Sequence, residues 1–544
     1  MPEFTIESFT DEEAEILNRF FTNLDKPVFG LINLPEVVKG ALFARYSRSP
    51  KSIRRLFLDE FYSKEDMGAQ LSADSGETDA ARTRAEGLYQ RIFSEYGDDS
   101  VAQLGGAHLA CEQASNVLTK VLERGRLASY LEQSTRYIFY DKRLGDRYRY
   151  MTPPEVAAGS LANTYRETME SLFRTYSDVV SRLVAYYEKL YPKAPEDSNF
   201  VWRSTIRAKA CDDARGLLPA SALSNVGIFA SGQAYEALLL RMRAHPLAEV
   251  RDYGDLMLTE LRKMIPSFMK RVDIPERGGA WSQYFRTVAE DLETHASEIP
   301  PSTDRPEVTL VDFDPDAETK VAAAVLYRYA SQPDDQILDY VRALPPDKRA
   351  ALIAASVGDR TNRRHKPGRG FERTDYRFDI LCDYGIFRDL QRHRLLTLDW
   401  QRLTPDHGFV TPQSINDIGA VESWQGAMER TAALYADVTD AYGKDVGQYV
   451  VPFAYKIRFF LQMNAREAFH LLELRTAAGG HPDYRRVCQT MHTLIKTQAG
   501  HKLIADAMSY VDYTDYDLAR LDGERRAEAR RAAAGVAEPE AERI

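Results

Sequence analysis

Arg392-His393-Arg394 places three cationic or titratable side chains in a row at the end of FDILCDYGIFRDLQ, a run otherwise apolar enough to pack well. Alone, such a triplet is more often a solvated charged turn than a site. A second segment changes that reading. RGRLASYLEQSTRY carries Arg124, Arg126, Glu132, Ser134 and Arg136 at close spacing. Guanidinium forks beside a serine hydroxyl are the donors a phosphate dianion requires, because each fork offers two parallel charge-assisted hydrogen bonds.

The two segments hold equivalent places in an internal repeat. VLERGRLASYLEQSTRY (121–137) lies over DLQRHRLLTLDWQRLTP (389–405). ALFARYSRSP is echoed by AAVLYRYASQP, and YMTPPEVAA by FVTPQSIND. At 544 residues the chain is too long for one core, so the repeat predicts two large domains. HASEIPPSTDRPEVTLVDFDP, rich in proline and charge, reads as the linker. The expected organisation is a first domain over 1–297, a linker over 298–316, a second domain over 317–520 and a charged tail over 521–544. Long amphipathic patterns such as EVRDYGDLMLTELRKMIPSFMKRV and VCQTMHTLIKTQAGHKLIADAMSYV predict helices. YRFDILCDYGIF, RYIFYD and GFVTP predict strands. The class is mixed α/β (α+β), each domain a sheet packed by long helices.

Composition bounds the function. The apolar fraction of 44% and charged fraction of 28% are those of a globular chain. The net charge of −10 argues against broad nucleic-acid binding, and the 11% aromatic content is read as packing. No basic leader and no run of ~18 apolar residues is present, so no membrane association is expected and the expected location is the cytoplasm. Cys111, Cys211, Cys382 and Cys488 show no metal-ligand spacing, so no metal is expected and each cysteine should be a small buried residue.

The repeated segments resemble the flavin-dependent thymidylate synthases. That family carries Arg-His-Arg, a Ser or Thr, and then an Asn-Glu-x-Ser-x-Arg-Tyr run. The first half matches at Ser129, Glu132, Ser134, Arg136 and Tyr137, with Gly125 for the histidine and Leu131 for the asparagine. The second half keeps His393 and has Thr397 for the serine, but Trp400, Arg402 and Thr404 replace the rest. Downstream, ARGLLP supplies Arg215, and Arg241 follows after a one-residue gap; the second half has Gln448 in place of the first arginine but keeps Asn464, Arg466 and Arg475. Upstream, Glu372 stands at the family's distance before Arg392, with His365 a displaced candidate for its histidine. The first half has Asp98, Ser100 and Gln103 in that element.

The resemblance implies a division of labour. Arg124, Arg126, Glu132, Ser134, Arg136, Arg215 and Arg241 would bind the nucleotide, and Glu372, Arg392, His393, Arg394, Asn464 and Arg466 would hold FAD. Arg392 or Arg475 would lie near the uracil carbonyls and act in catalysis. The implied reaction is methylation of dUMP to dTMP with methylenetetrahydrofolate and NADPH, at hybrid sites made by a first half and a second half. Two chains would pair into a pseudo-tetramer, a homodimer. Asp389 stands where the family usually has glutamine, which motivates a second reading, C5 alkylation of another pyrimidine nucleotide. A non-catalytic FAD- or nucleotide-binding homologue is the third.

Overall fold

The structure is a computed structural model that describes residues 7–27, 29–34, 36–46, 49–62, 103–300 and 304–534. The upstream element with Asp98 and Ser100, and part of the ALFARYSRSP repeat, lie outside the described residues, as does the end of the tail beyond 534. The chain divides into two compact units. One comprises Met1–Glu112, Leu127–Glu132 and Asn225–Ile299, and the other Gln113–Arg126, Gln133–Ser224 and Pro300–Ile544.

Mixed helix and sheet is the architecture. Strands β1 (Gly106–Ser115), β2 (Ala128–Glu132) and β5 (Leu223–Ser231) form a sheet of order β1-β5-β2, and β3 (Arg143–Leu144) pairs with β4 (Arg147–Tyr148). Strands β6 (Val308–Phe313), β7 (Asp375–Asp383), β8 (Thr397–Trp400) and β9 (Lys456–Asn464) form the second sheet in the order β6-β7-β9-β8. In the repeat β1, β2 and β5 correspond to β7, β8 and β9, while β6 has no counterpart among the described strands. In β7 and β9 alternate side chains are buried, the period of two that a one-faced sheet demands. Tyr376, Phe378 and Ile380 thus meet Phe459, Leu461 and Met463 in the core. β1, β5, β7 and β9 each then turn into a helix through a side-chain cap. Ser115 accepts from Leu118 N at 3.0 Å and Asp383 from Ile386 N at 3.0 Å; Ser231 and Asn464 cap the later helices at 3.3 and 2.8 Å.

In the second compact unit the two copies are joined directly. Gly216 to Ser221 of the first copy runs antiparallel to Tyr449 to Ala454 of the second, centred on Pro219 opposite Pro452. Ala220 N donates to Val451 O, Ser221 N to Tyr449 O, Phe453 N to Leu218 O and Ala454 N to Gly216 O, all at 2.8–3.0 Å. The flanking bonds repeat as well. Met151 N to Ser221 O has its equivalent in Val410 N to Ala454 O, both 2.9 Å. Beside this seam the helices Asn116–Leu122 and Tyr384–Leu390 touch, with Tyr384 OH donating to Asn116 O at 2.7 Å and Gln391 Nε2 to Lys120 O at 3.3 Å.

Three local expectations differ. RYIFYD is a turn followed by irregular chain, because Arg136 and Tyr140 send their side chains to tertiary partners and Tyr137 N closes onto Ser134 O at 3.4 Å. GFVTP makes only an isolated bridge, Phe409 with Tyr455, as Pro412 has no N–H to extend a ladder. The expected linker contains β6, whose Val308-Thr309-Leu310 alternation pairs with Ile380, Asp379 and Phe378. Of the tail, Leu521–Ala533 is helical, and Arg525 pairs with Asp197 at 2.6 Å. All four cysteines are buried. Among the described residues no helix is long and apolar enough to cross a membrane.

The seam is sterically tight at Gly216, where an added Cβ would stand 2.6 Å from Cη2 of the fully buried Trp424. Gly216→Leu should therefore destabilise the fold by roughly 1–3 kcal/mol or more through overpacking. Gly368→Ala, with nothing within 4 Å of its Cβ, should be close to neutral. Paired thermal and urea unfolding of the two variants checks the contrast.

Candidate active site

Residues of both copies converge on two buried carboxylates in the second compact unit. Arg136 grips Asp212 with two arms, Nε to Oδ1 at 2.8 Å and Nη2 to Oδ2 at 2.9 Å, and gives Nη1 to Tyr484 OH at 3.0 Å. Arg520 donates to the same Asp212 Oδ2 at 2.7 Å and to Arg136 O at 3.0 Å. Ser134 Oγ accepts the backbone N–H of Arg136 at 3.2 Å, which fixes the loop. The second carboxylate, Asp389, faces Arg215 Nη1 at 3.3 Å and is hydrogen-bonded by Arg392 Nη2. Burial alone would raise both carboxyls. Arg136 and Arg520 nevertheless hold Asp212, and Arg392 and Arg215 hold Asp389, well below the usual range, so both are anions.

His393 is buried at the centre of the second copy's contribution. Arg475 Nε donates to its Nε2 at 2.9 Å, and its Nδ1 lies 3.3 Å from Glu467 Oε1. A guanidinium can only donate, so Nε2 is the acceptor and the proton sits on Nδ1, directed at Glu467. Burial, reinforced by Arg475, pushes the imidazole down to about 4, and the ring is neutral at pH 7. His470 Nδ1 is 3.2 Å from both oxygens of Glu467. His393, Glu467 and His470 thus have the spacing of metal ligands. The proton on Nδ1, however, occupies the lone pair a metal would need, so the trio is a hydrogen-bonded clamp. The Tyr484 ring lies 5.4 Å from the Arg136 guanidinium and 5.5 Å from that of Arg475, linking the guanidinium on Asp212 with the one on His393.

A cleft of about 210 Å³ opens next to His393, lined by Arg124, Arg126, Gln391, Arg394, Thr397, Trp400 and Phe460 among others. Arg124 pairs with Asp399 at 3.3 Å and lies over Trp400 at 5.4 Å, while Arg126 donates to Thr397 Oγ1 at 3.1 Å. These two arginines, read as nucleotide-binding, therefore share their surroundings with the residues read as flavin-binding. The cationic rim, the aromatic wall and the buried, unpartnered Gln391 Oε1 suit part of a flavin nucleotide. Asn464 is spent on its helix cap, and Arg466 contacts Pro367 O at 3.0 Å and Glu372 at 3.5 Å. Glu132, buried on β2 opposite Val226, and Arg241, in the last turn of Gly232–Ala244, belong to the other compact unit.

Asp212, Glu467, Tyr484 and Arg520 were not singled out by sequence. Asp212 stands three residues before Arg215 and Glu467 directly follows Arg466, so both lay within reach of a motif reading. Tyr484 and Arg520 gave no local signal.

Removing Asp212 would leave Arg136 and Arg520 facing each other in a buried setting, so Asp212→Ala should cost about 3–5 kcal/mol. Arg124→Ala, at a half-exposed pair, should cost at most about 1 kcal/mol. His393, with its folded pKa below its unfolded value, contributes stability at neutral pH that fades between about 6.5 and about 4. The stability gap between wild type and His393→Asn should narrow over that window by on the order of 3 kcal/mol, measured by urea titration at each pH.

The sequence profile of the family described as thymidylate synthase complementing protein matches residues 45–267 and again 309–499. A UPF0159 protein of Chlamydia pneumoniae is 40% identical over 529 residues, covering 96% of this chain and 98% of its own. A UPF0159 protein of Thermoplasma acidophilum is 31% identical over 517 residues, 90% of this chain and 98% of its own. A flavin-dependent thymidylate synthase of Clostridium tetani is 28% identical over 185 residues, 34% of this chain and 68% of its own. With both halves matched and the same seam built from both, the chain belongs to the flavin-dependent thymidylate synthase family as a fusion of two copies.

Proposed function

We propose that this chain methylates C5 of a deoxyuridine-type pyrimidine in a flavin-dependent reaction, with a working centre assembled from both copies of one chain. The observation that carries the reading is the meeting of Arg136 and Arg215 from the first copy with Arg392, His393 and Arg475 from the second, around Asp389 and Tyr484. Each copy lacks what the other brings. The family's substrate dUMP, with methylenetetrahydrofolate as carbon donor and NADPH as reductant, is the reference reaction.

In this reading His393, Arg394, Arg124 and Arg126 hold FAD along the cleft, with Trp400 and Phe460 as its apolar wall. Bound reduced flavin would supply the hydride. The chain's own groups bind and orient. Arg475 is aimed by its bond to the neutral His393, and its charge, with that of Arg392, stabilises the negative charge that spreads onto the uracil carbonyls as C5 becomes nucleophilic. No cysteine nucleophile enters; burial pushes the Cys488 thiol up to about 12. Self-association of two chains would give the four-copy assembly of the family.

A second reading, a pyrimidine substrate other than dUMP, is favoured by one observation: the carboxylate of Asp389 stands among the very arginines that the family resemblance assigns to the nucleotide.

Purified full-length chain should turn yellow with FAD and, given NADPH and methylenetetrahydrofolate, convert dUMP or deoxyuridine to the 5-methyl product seen by mass spectrometry. Arg475→Ala should lower kcat/KM by at least 100-fold while leaving flavin uptake largely intact. A soluble chain that takes up no flavin, or forms no methylated product from either pyrimidine, would defeat the proposal.

A further inference from the structure

Two of the arginines that resemblance assigns to the nucleotide, Arg136 and Arg215, already have anions of their own, and Arg392 shares the second of these. Both arms of Arg136 lie on Asp212, which Arg520 also holds, and Nη groups of Arg215 and Arg392 face Asp389. A phosphate dianion among these groups would stand beside two buried carboxylates, and at such distances in a site shut off from water like charges repel strongly. It could displace Asp389 only by leaving that carboxylate buried without its partners.

The space beside Arg215 points the same way. A cavity of about 200 Å³ is lined by Arg215, Trp424 and His481 and by Asp212, Asp213, Asp383 and Asp483. Its walls are acidic. Burial raises Asp213 and pushes Asp383 up to about 7, a sign that further negative charge is unwelcome there. Such a site offers donors to neutral carbonyl or hydroxyl oxygens and acceptors to hydroxyl protons. A sugar 5′-hydroxyl meets both needs, donating to a carboxylate while accepting from Arg215.

We propose that Asp389 is a specificity-determining residue that replaces the substrate's phosphate from within, so that the site takes a pyrimidine nucleoside in preference to its 5′-monophosphate. The inference rests on flavin-dependent pyrimidine methylation and narrows its substrate. In this reading Arg475, held by His393, serves the base.

Full-length chain with FAD added is titrated calorimetrically with deoxyuridine and with dUMP, and with deoxyuridine again in millimolar inorganic phosphate. Wild type should bind deoxyuridine at least as tightly as dUMP, with phosphate competing weakly. Asp389→Gln, which supplies the amide usual in the family, should shift the affinity ratio at least ten-fold toward dUMP; Asp389→Asn serves if the glutamine variant misfolds. Wild type that binds dUMP ten-fold more tightly than deoxyuridine, a ratio unmoved by either variant, or no binding of either pyrimidine overturns the inference. Flavin uptake and methylation report separately on the parent reading: a yellow, active chain that prefers dUMP sinks only the specificity claim.

Discussion

A guanidinium taken out of water must face an anion, and the second compact unit buries several of them together. Arg136, Arg215 and Arg520 are all less than a tenth exposed. Unpaired, any one would cost several kcal/mol, so Asp212 and Asp389 are conditions for the fold as much as parts of a site. Because the two carboxylates come from different copies, satisfying the charges forces the copies together. Asp212 binds arginines from the first copy and from the segment after the second; Asp389, from the second, binds Arg215 of the first.

The backbone seam makes this convergence possible. Pro219 and Pro452 are equivalent residues of the repeat, and the segments around them pair with each other, so the join has an approximate twofold character. A twofold join of identical copies would generate two identical half-sites. Divergence has instead concentrated the charged groups at one of them. The equivalent of His393 is Gly125 and that of Arg215 is Gln448, whose Oε1 accepts from Leu403 N at 3.1 Å as an ordinary loop contact. The equivalent of Arg136 is Thr404, and Asp445, the equivalent of Asp212, is held instead by Arg402 at 2.8 Å, a partly exposed pair well suited to stability and less to chemistry.

Much of this was legible in the sequence, for reasons that can be named. The repeat announced the two sheets, because equivalent apolar runs must bury equivalent faces; β7 and β9 alternate as their residues require. Arg136, Arg215, His393 and Arg475 were legible through motif and spacing. Asp389 was visible as a departure, though only its two arginine partners show what the carboxylate does. Illegible were groups whose meaning is a long-range contact, such as Arg520, which reaches Asp212 across 308 positions. RYIFYD misled because its aromatic and β-branched content fits a strand, while its side chains answer to tertiary partners. β6 was masked by the prolines and charges beside it.

The central claim is that one chain supplies every group of the centre. Its most direct test is co-expression of two differently tagged full-length chains, one carrying Arg136→Ala and the other His393→Ala, with isolation of the mixed oligomer through both tags. If the centre is built within a chain, each partner is broken in its own site and methylation stays at the level of the single variants. Recovery of about a quarter or more of wild-type activity in the mixed oligomer would show that the arginine and the histidine come from different chains, and would contradict the account.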